Sequence, residues 1–139
     1  MADSYLEHLR AVSLFARCSN AELATIASAV DEIEVEAGRV LISEGDLGKE
    51  AFVIVEGEAT VSRDGVAVAT LHAGQPFGEM SLVDRSPRNA TVTAATPMRL
   101  LVLGQREFAG LLDASPAFAR TIMAALAGRL RAKDVALYG

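Results

Sequence analysis

The spacing of apolar residues changes period twice along the chain, from helical to alternating and back to helical. Between Ser4 and Phe15, the residues Tyr5, Leu9, Val12 and Phe15 recur at helical intervals, which predicts a short amphipathic helix. Ser19 followed by Glu22 is a capping-box signature, and Leu23, Ile26 and Val30 carry an apolar stripe through the second predicted helix. Beyond Val30 the alternation becomes twofold. Ile33 and Val35 sit between Glu32, Glu34 and Glu36, and Gly38 ends the run.

Short apolar or β-branched runs then follow at Val40 to Ser43, Ala51 to Val55, Ala59 to Arg63, Val66 to Leu71, Ala90 to Ala94 and Met98 to Leu103. Glycine-bearing turns separate them, a punctuation that predicts a small β-sandwich or barrel. Asp64-Gly65, between Thr60-Val61-Ser62-Arg63 and Val66-Ala67-Val68, predicts a tight hairpin because both residues tolerate positive φ. The helical period returns from Gln105 to Leu112. It resumes after Ser115, with Pro116 in a first helical turn, and runs to about Val135. On that last helix Phe118, Ile122, Met123, Leu126 and Leu130 form an apolar face, suited to core packing or to a dimer seam.

Composition narrows the class. The 139 residues are 51% hydrophobic and 22% charged, which fits one globular domain. A formal net charge of −5 disfavours a nonspecific grip on nucleic acid, which needs clustered cations. Cys18 is the single cysteine, so no internal disulfide forms, and no basic start with an apolar run opens the chain. A cytoplasmic location is the expectation, with no membrane span, since the apolar runs fall well short of the ~18 residues a spanning helix needs.

Most familiar chemistries find no support. His8, His72 and Cys18 are scattered, which argues against a metal site. Gly45-Asp46-Leu47-Gly48-Lys49-Glu50 lacks the spacer and the hydroxyl residue of a phosphate loop. Glu44 and Asp46 lack the ligand spacing of a calcium loop and read as solvated turn residues. Asn89-Ala90-Thr91 matches a glycosylation acceptor by chance in a chain without a secretory signal. No nucleophile pairs with a base, so the chain is not expected to be an enzyme.

One segment concentrates the remaining signal. In Pro76-Phe77-Gly78-Glu79-Met80-Ser81-Leu82-Val83, an entry turn leads into a short helical turn from Glu79 to Val83, whose free N–H groups suit an anion. Arg88 opens the next strand and supplies a fork of donors for the same phosphate. Glu79 would repel phosphate, so it is read as an acceptor for a sugar hydroxyl, which makes a nucleotide the natural ligand. The opposing reading is an ordinary surface loop with an exposed Glu79–Arg88 pair.

The whole pattern resembles the cyclic nucleotide-binding domain of bacterial catabolite-activator-type regulators, protein kinase A regulatory subunits and cyclic nucleotide-gated channels. Leu14-Phe15, Ala37-Gly38-Arg39-Val40-Leu41-Ile42, Glu44-Gly45-Asp46 and Ala51-Phe52-Val53-Ile54-Val55-Glu56-Gly57-Glu58-Ala59 all contribute. The likeness peaks at Phe77-Gly78-Glu79-Met80-Ser81-Leu82 with Pro87-Arg88-Asn89-Ala90-Thr91-Val92, which looks like the family's phosphate-binding cassette.

The resemblance implies a mainly β fold with flanking helices, an eight-stranded antiparallel β-roll of the jelly-roll type, adding weak strands near Glu32 to Glu36 and Pro76. It implies one domain over 1–139, with N-terminal helices in 1–30, the roll in 31–104, the cassette in 77–92 and C-terminal helices in 105–139. By the same resemblance, Glu79 accepts from the ribose 2′-hydroxyl and Arg88 pairs with the cyclic phosphate. Gly78, Met80, Asn89 and Ala90 offer backbone amides, and Ser81 completes the ligand-binding set. The implied ligand is cAMP, with cGMP as the alternative, because Asn89 stands where a hydroxyl is associated with cGMP and an amide can donate or accept. Leu130, Arg131 and Lys133 are candidates to cap the base.

The segment Leu126-Ala127-Gly128-Arg129-Leu130-Arg131 looks like a dimerisation helix, yet too few residues follow it before Gly139 for a DNA-binding module. The expectation is a sensor or regulatory module that signals through its C-terminal helix to a homodimer mate or an effector protein, with no nucleic acid bound by this chain alone. The competing expectation is an interaction domain that keeps the fold and ignores nucleotide.

Overall fold

The computed structural model describes residue 9, residue 15, residues 18–78, residue 82 and residues 86–120, 122–124 and 127. Helix α1 (Asn20–Ala29) starts at the predicted capping box: Glu22 N donates to Ser19 Oγ at 3.1 Å, and Ser19 N donates to Glu22 Oε1 at 3.1 Å. These two bonds satisfy donors that a helix start leaves open, and so fix where the helix begins.

Eight strands follow: β1 (Asp31–Val35), β2 (Val40–Ile42), β3 (Glu50–Glu56), β4 (Ala59–Arg63), β5 (Val66–Leu71), β6 (Pro76–Phe77), β7 (Thr91–Ala94) and β8 (Met98–Gly104). They form two four-stranded sheets in the orders β1-β8-β3-β6 and β2-β7-β4-β5, with antiparallel pairing throughout. This is the eight-stranded β-roll expected, and the strand ends differ from the sequence reading by a residue or two. The hairpin at Asp64-Gly65 has φ of 52° and 79° at the two turn residues, the left-handed pair that a tight connection between twisted strands requires.

Helix α2 (Gln105–Ala114) continues two residues beyond the predicted Leu112, and residues 116–120 and 122–124 are again helical. Ser115 starts this C-terminal segment by accepting from Phe118 N at 3.1 Å, and its hydroxyl donates to Glu22 Oε2. One carboxylate therefore ties the start of α1 to the start of the C-terminal segment. Those bonds hold the half-buried Glu22 carboxyl below its ordinary pKa, the Ser115 hydroxyl being the largest cause.

Two cores result. Phe52, Ile54, Phe77, Val92, Met98, Leu100 and Val102 fill the space between the sheets. Leu101 and Leu103, which alternate with Leu100 and Val102 on β8, face the other way and meet Leu9, Phe15, Leu23, Ile26, Phe108, Leu111, Phe118 and Ile122. Strand β8 is thus apolar on both faces, which explains its unbroken Leu-Leu-Val-Leu run. Phe118 stacks on Phe15 at a 5.8 Å centroid distance and meets Phe108 edge-on at 5.6 Å. Phe118 and Ile122 are 1% and 2% exposed within the chain itself, so core packing takes these two positions of the proposed seam. Most of the predicted helix over 4–15 lies outside the described residues, as do Leu126, Leu130, Arg131 and Lys133.

Candidate functional site

The two halves of the candidate segment meet at Arg88. Although it is the most hydrophilic of side chains, it is only 6% exposed. A guanidinium reaches such burial only with its donors directed at acceptors. Nη1 donates to the carbonyl of Gly78 at 2.6 Å and Nη2 to the carbonyl of Glu50 at 2.6 Å. The fork is therefore held in one plane by two segments, the end of β6 and the start of β3. The surface-loop reading fails on this point, because an exposed ion pair would leave the arginine in solvent.

The backbone of Arg88 is fixed as firmly as its side chain. Its N–H donates to Asp46 O at 2.8 Å, and its carbonyl accepts from Gly45 N at 2.8 Å. Leu47 and Pro87 form an antiparallel bridge alongside. The loop over residues 43–48 is also tied to its other neighbours. Glu44 N donates to Thr91 Oγ1 at 3.0 Å, while the Glu44 carboxylate accepts from Asp64 N at 3.1 Å at the tip of the β4–β5 hairpin. Glu44 and Asp46 are solvated, as expected, and they also brace the cassette arginine and the hairpin.

Gly78 is required where it stands. Its φ is +84°, and a Cβ there would lie 3.0 Å from Arg88 Nη1 and 3.1 Å from Glu50 O. Glycine thus permits both the left-handed backbone and the close approach of the guanidinium. Ala90 is 5% exposed, and Asn89, the residue expected to bear on base choice, is exposed beside the buried arginine. Leu82, in the cassette, is 6% exposed and belongs to the helical core with Leu111, Phe118 and Ile122.

Of the predicted ligand-binding set, Gly78, Arg88, Asn89 and Ala90 come together here. Glu79, Met80 and Ser81 lie outside the described residues. The sequence reading missed the Glu50 carbonyl as the second holder of Arg88. No side-chain signal marks a main-chain acceptor, and only the pairing of β3 beside β6 brings it near. Among the described residues no group of three or more His, Cys, Asp or Glu is placed to hold a metal ion. Also among them, no helix is long and apolar enough to cross a membrane.

Residues 32–115 match the sequence model of the cyclic nucleotide-binding domain. A cAMP-dependent protein kinase regulatory subunit of Eremothecium gossypii is 41% identical over 109 residues, covering 78% of this chain and 24% of that protein. A cyclic nucleotide-gated potassium channel of Rhizobium etli is 43% identical over 112 residues, covering 81% of this chain and 31% of the channel. Among solved structures, the catabolite activator protein of Thermus thermophilus superposes with a TM-score of 0.83 at 30% identity, over 89% of this chain and 61% of that one. The chain spans about a quarter to a third of the length of these two curated relatives.

Proposed function

The chain belongs to the cyclic nucleotide-binding domain family, and on that premise we propose that it binds cAMP in preference to cGMP and signals through its C-terminal helix. The observation that carries the proposal is the buried Arg88 fork, held by the carbonyls of Gly78 and Glu50. The two carbonyls fix the orientation of the fork. A cyclic phosphate carries one negative charge and offers oxygens that an arginine engages directionally. In this reading Gly78, Met80, Asn89 and Ala90 supply backbone amides, Ser81 completes the ligand-binding set, and Glu79 takes the ribose hydroxyl. The choice of cAMP rests on the kinase regulatory relative, whose name carries that nucleotide.

Signalling follows from Leu82. A ligand that draws the cassette towards the phosphate moves a side chain that shares one core with Phe118 and Ile122 of the C-terminal segment. The ligand shifts that segment only to the extent that it binds its two positions with different affinity. We assign the module to the cytoplasm, with a regulatory rather than catalytic role, as one domain over 1–139 whose partner is an effector protein or a second copy.

Calorimetry against cAMP and cGMP tests the reading. Micromolar binding corresponds to roughly 8 kcal/mol. Absence of heat with either nucleotide at millimolar concentration would leave an interaction domain that ignores nucleotide. A 2′-deoxy analogue that binds as tightly as its parent would remove the role given to Glu79.

A further inference from the structure

Strand β7 begins at Thr91, opposite Ser62 of β4. The β4–β5 hairpin runs on past that point, so its tip, Arg63 to Val66, pairs only within the hairpin. A two-stranded ribbon is at best marginally stable on its own, and a tip that projects beyond its sheet needs another anchor to hold one position. Glu44 supplies that anchor.

Its carboxylate accepts from Asp64 N at 3.1 Å, and its own N–H donates to Thr91 Oγ1 at 3.0 Å. The next two residues, Gly45 and Asp46, bond both main-chain groups of Arg88, each at 2.8 Å. One exposed glutamate thus joins the hairpin tip, the first residue of β7 and the backbone of the buried arginine. Its charge has the sign that repels a phosphate, and among the described residues it makes no ion pair. Any favourable part it takes in holding an anion therefore comes through position and not through charge.

We infer that Glu44 is a positioning residue for the phosphate site, fixing the 43–48 loop between the hairpin tip and Thr91 so that Gly45 and Asp46 hold Arg88 in its binding position. The inference rests on the reading of Arg88 as the phosphate ligand. Its signature is the sign of the effect. Taking a negative charge away from a phosphate site strengthens phosphate binding when charge alone acts. Taking away a group that holds the site in its bound form weakens binding, because the ordering is then left to the ligand.

Titration calorimetry with cAMP on the full chain, paired with amide hydrogen exchange without nucleotide, tests this. Glu44→Ala should lower affinity roughly three- to tenfold, the scale of part or all of one hydrogen bond to a charged group. Glu44→Gln loses the same charge but keeps an acceptor for Asp64 N, and should restore most of that affinity. Without nucleotide, the Gly45 and Arg88 amides should exchange faster in Glu44→Ala and close to the wild-type rate in Glu44→Gln. Those of Leu100 and Val102, within the sheet, should not change in either. Thr91→Val removes the acceptor of Glu44 N and gives the same test should Glu44→Ala not fold. The inference is overturned if Glu44→Ala binds as tightly as wild type or more tightly, if Glu44→Gln is as weak as Glu44→Ala, or if the Gly45 and Arg88 amides are indifferent to both. A wild type that binds no cyclic nucleotide overturns the proposed function instead, and the exchange rates still decide whether Glu44 positions Arg88.

Discussion

The close approach at Gly78 gives a prediction with an internal control. Gly78→Ala adds a methyl group at a residue with φ of +84°, and Gly74→Ala adds one at φ of +89°. The backbone strain of the two substitutions is therefore alike, about 1–2 kcal/mol. Their surroundings differ. Nothing lies within 4 Å of a Cβ at Gly74, whereas one at Gly78 meets Arg88 Nη1 at 3.0 Å and Glu50 O at 3.1 Å. Arg88 must then retreat from a bond of 2.6 Å or tilt its fork. Weakening one hydrogen bond to a charged group costs about 1.5–3 kcal/mol, so Gly78→Ala should be the less stable variant by that amount. Urea denaturation of both variants measures it. Calorimetry should show nucleotide affinity falling about tenfold in Gly78→Ala, an equivalent of about 1.4 kcal/mol, and unchanged in Gly74→Ala. Equal stability losses in the two variants, with wild-type affinity in both, would refute the reasoning that Gly78 exists to admit the arginine.

Arg88→Ala should weaken cyclic nucleotide binding by about 2–5 kcal/mol, the range for removing one partner of a buried charge pair, and titration calorimetry reads this directly. Phe118→Ala removes a ring that is 1% exposed and in contact with Phe15 and Phe108, and should cost about 3–5 kcal/mol in chemical denaturation. Glu22 has a folded pKa below its unfolded one, so its stabilisation is complete above the unfolded value and is lost as pH falls through the folded value. Glu22→Gln, which keeps an acceptor and removes the titration, should therefore lose its stability deficit relative to wild type on acidification below the ordinary carboxylate range. A deficit independent of pH would count against the Ser115 tie as the cause.

The strands that the sequence announced are those with several alternating residues and a glycine turn at each end, such as Ala59 to Arg63 and Val66 to Leu71 around Asp64-Gly65. Strand β6 was faint because two residues, one of them proline, carry no period. The order of strands was not legible from local pattern: β1 pairs with β8 across the whole length of the roll, Val35 opposite Met98. At the site, Arg88 and the glycine turn were readable because their chemistry resides in side-chain identity and in the lack of a side chain. The Glu50 carbonyl and the clamp from Gly45 and Asp46 were not, since any residue has a carbonyl and an N–H. Ser115 was legible as the residue ahead of a helical proline, but its bond to Glu22 joins positions 93 residues apart.

The holders of Arg88 also bear on how long the protein survives. They come from 10 and 38 residues away for the side chain, and from the 43–48 loop for the backbone. An unfolded chain keeps none of those proximities, so a ligand of this site binds the native state alone. At about 100 times its dissociation constant it adds about 2.7 kcal/mol to the free energy of unfolding. Proteolysis that proceeds through global opening would slow by the same factor of roughly a hundred. The concentration of the cyclic nucleotide would then set how long the protein lasts.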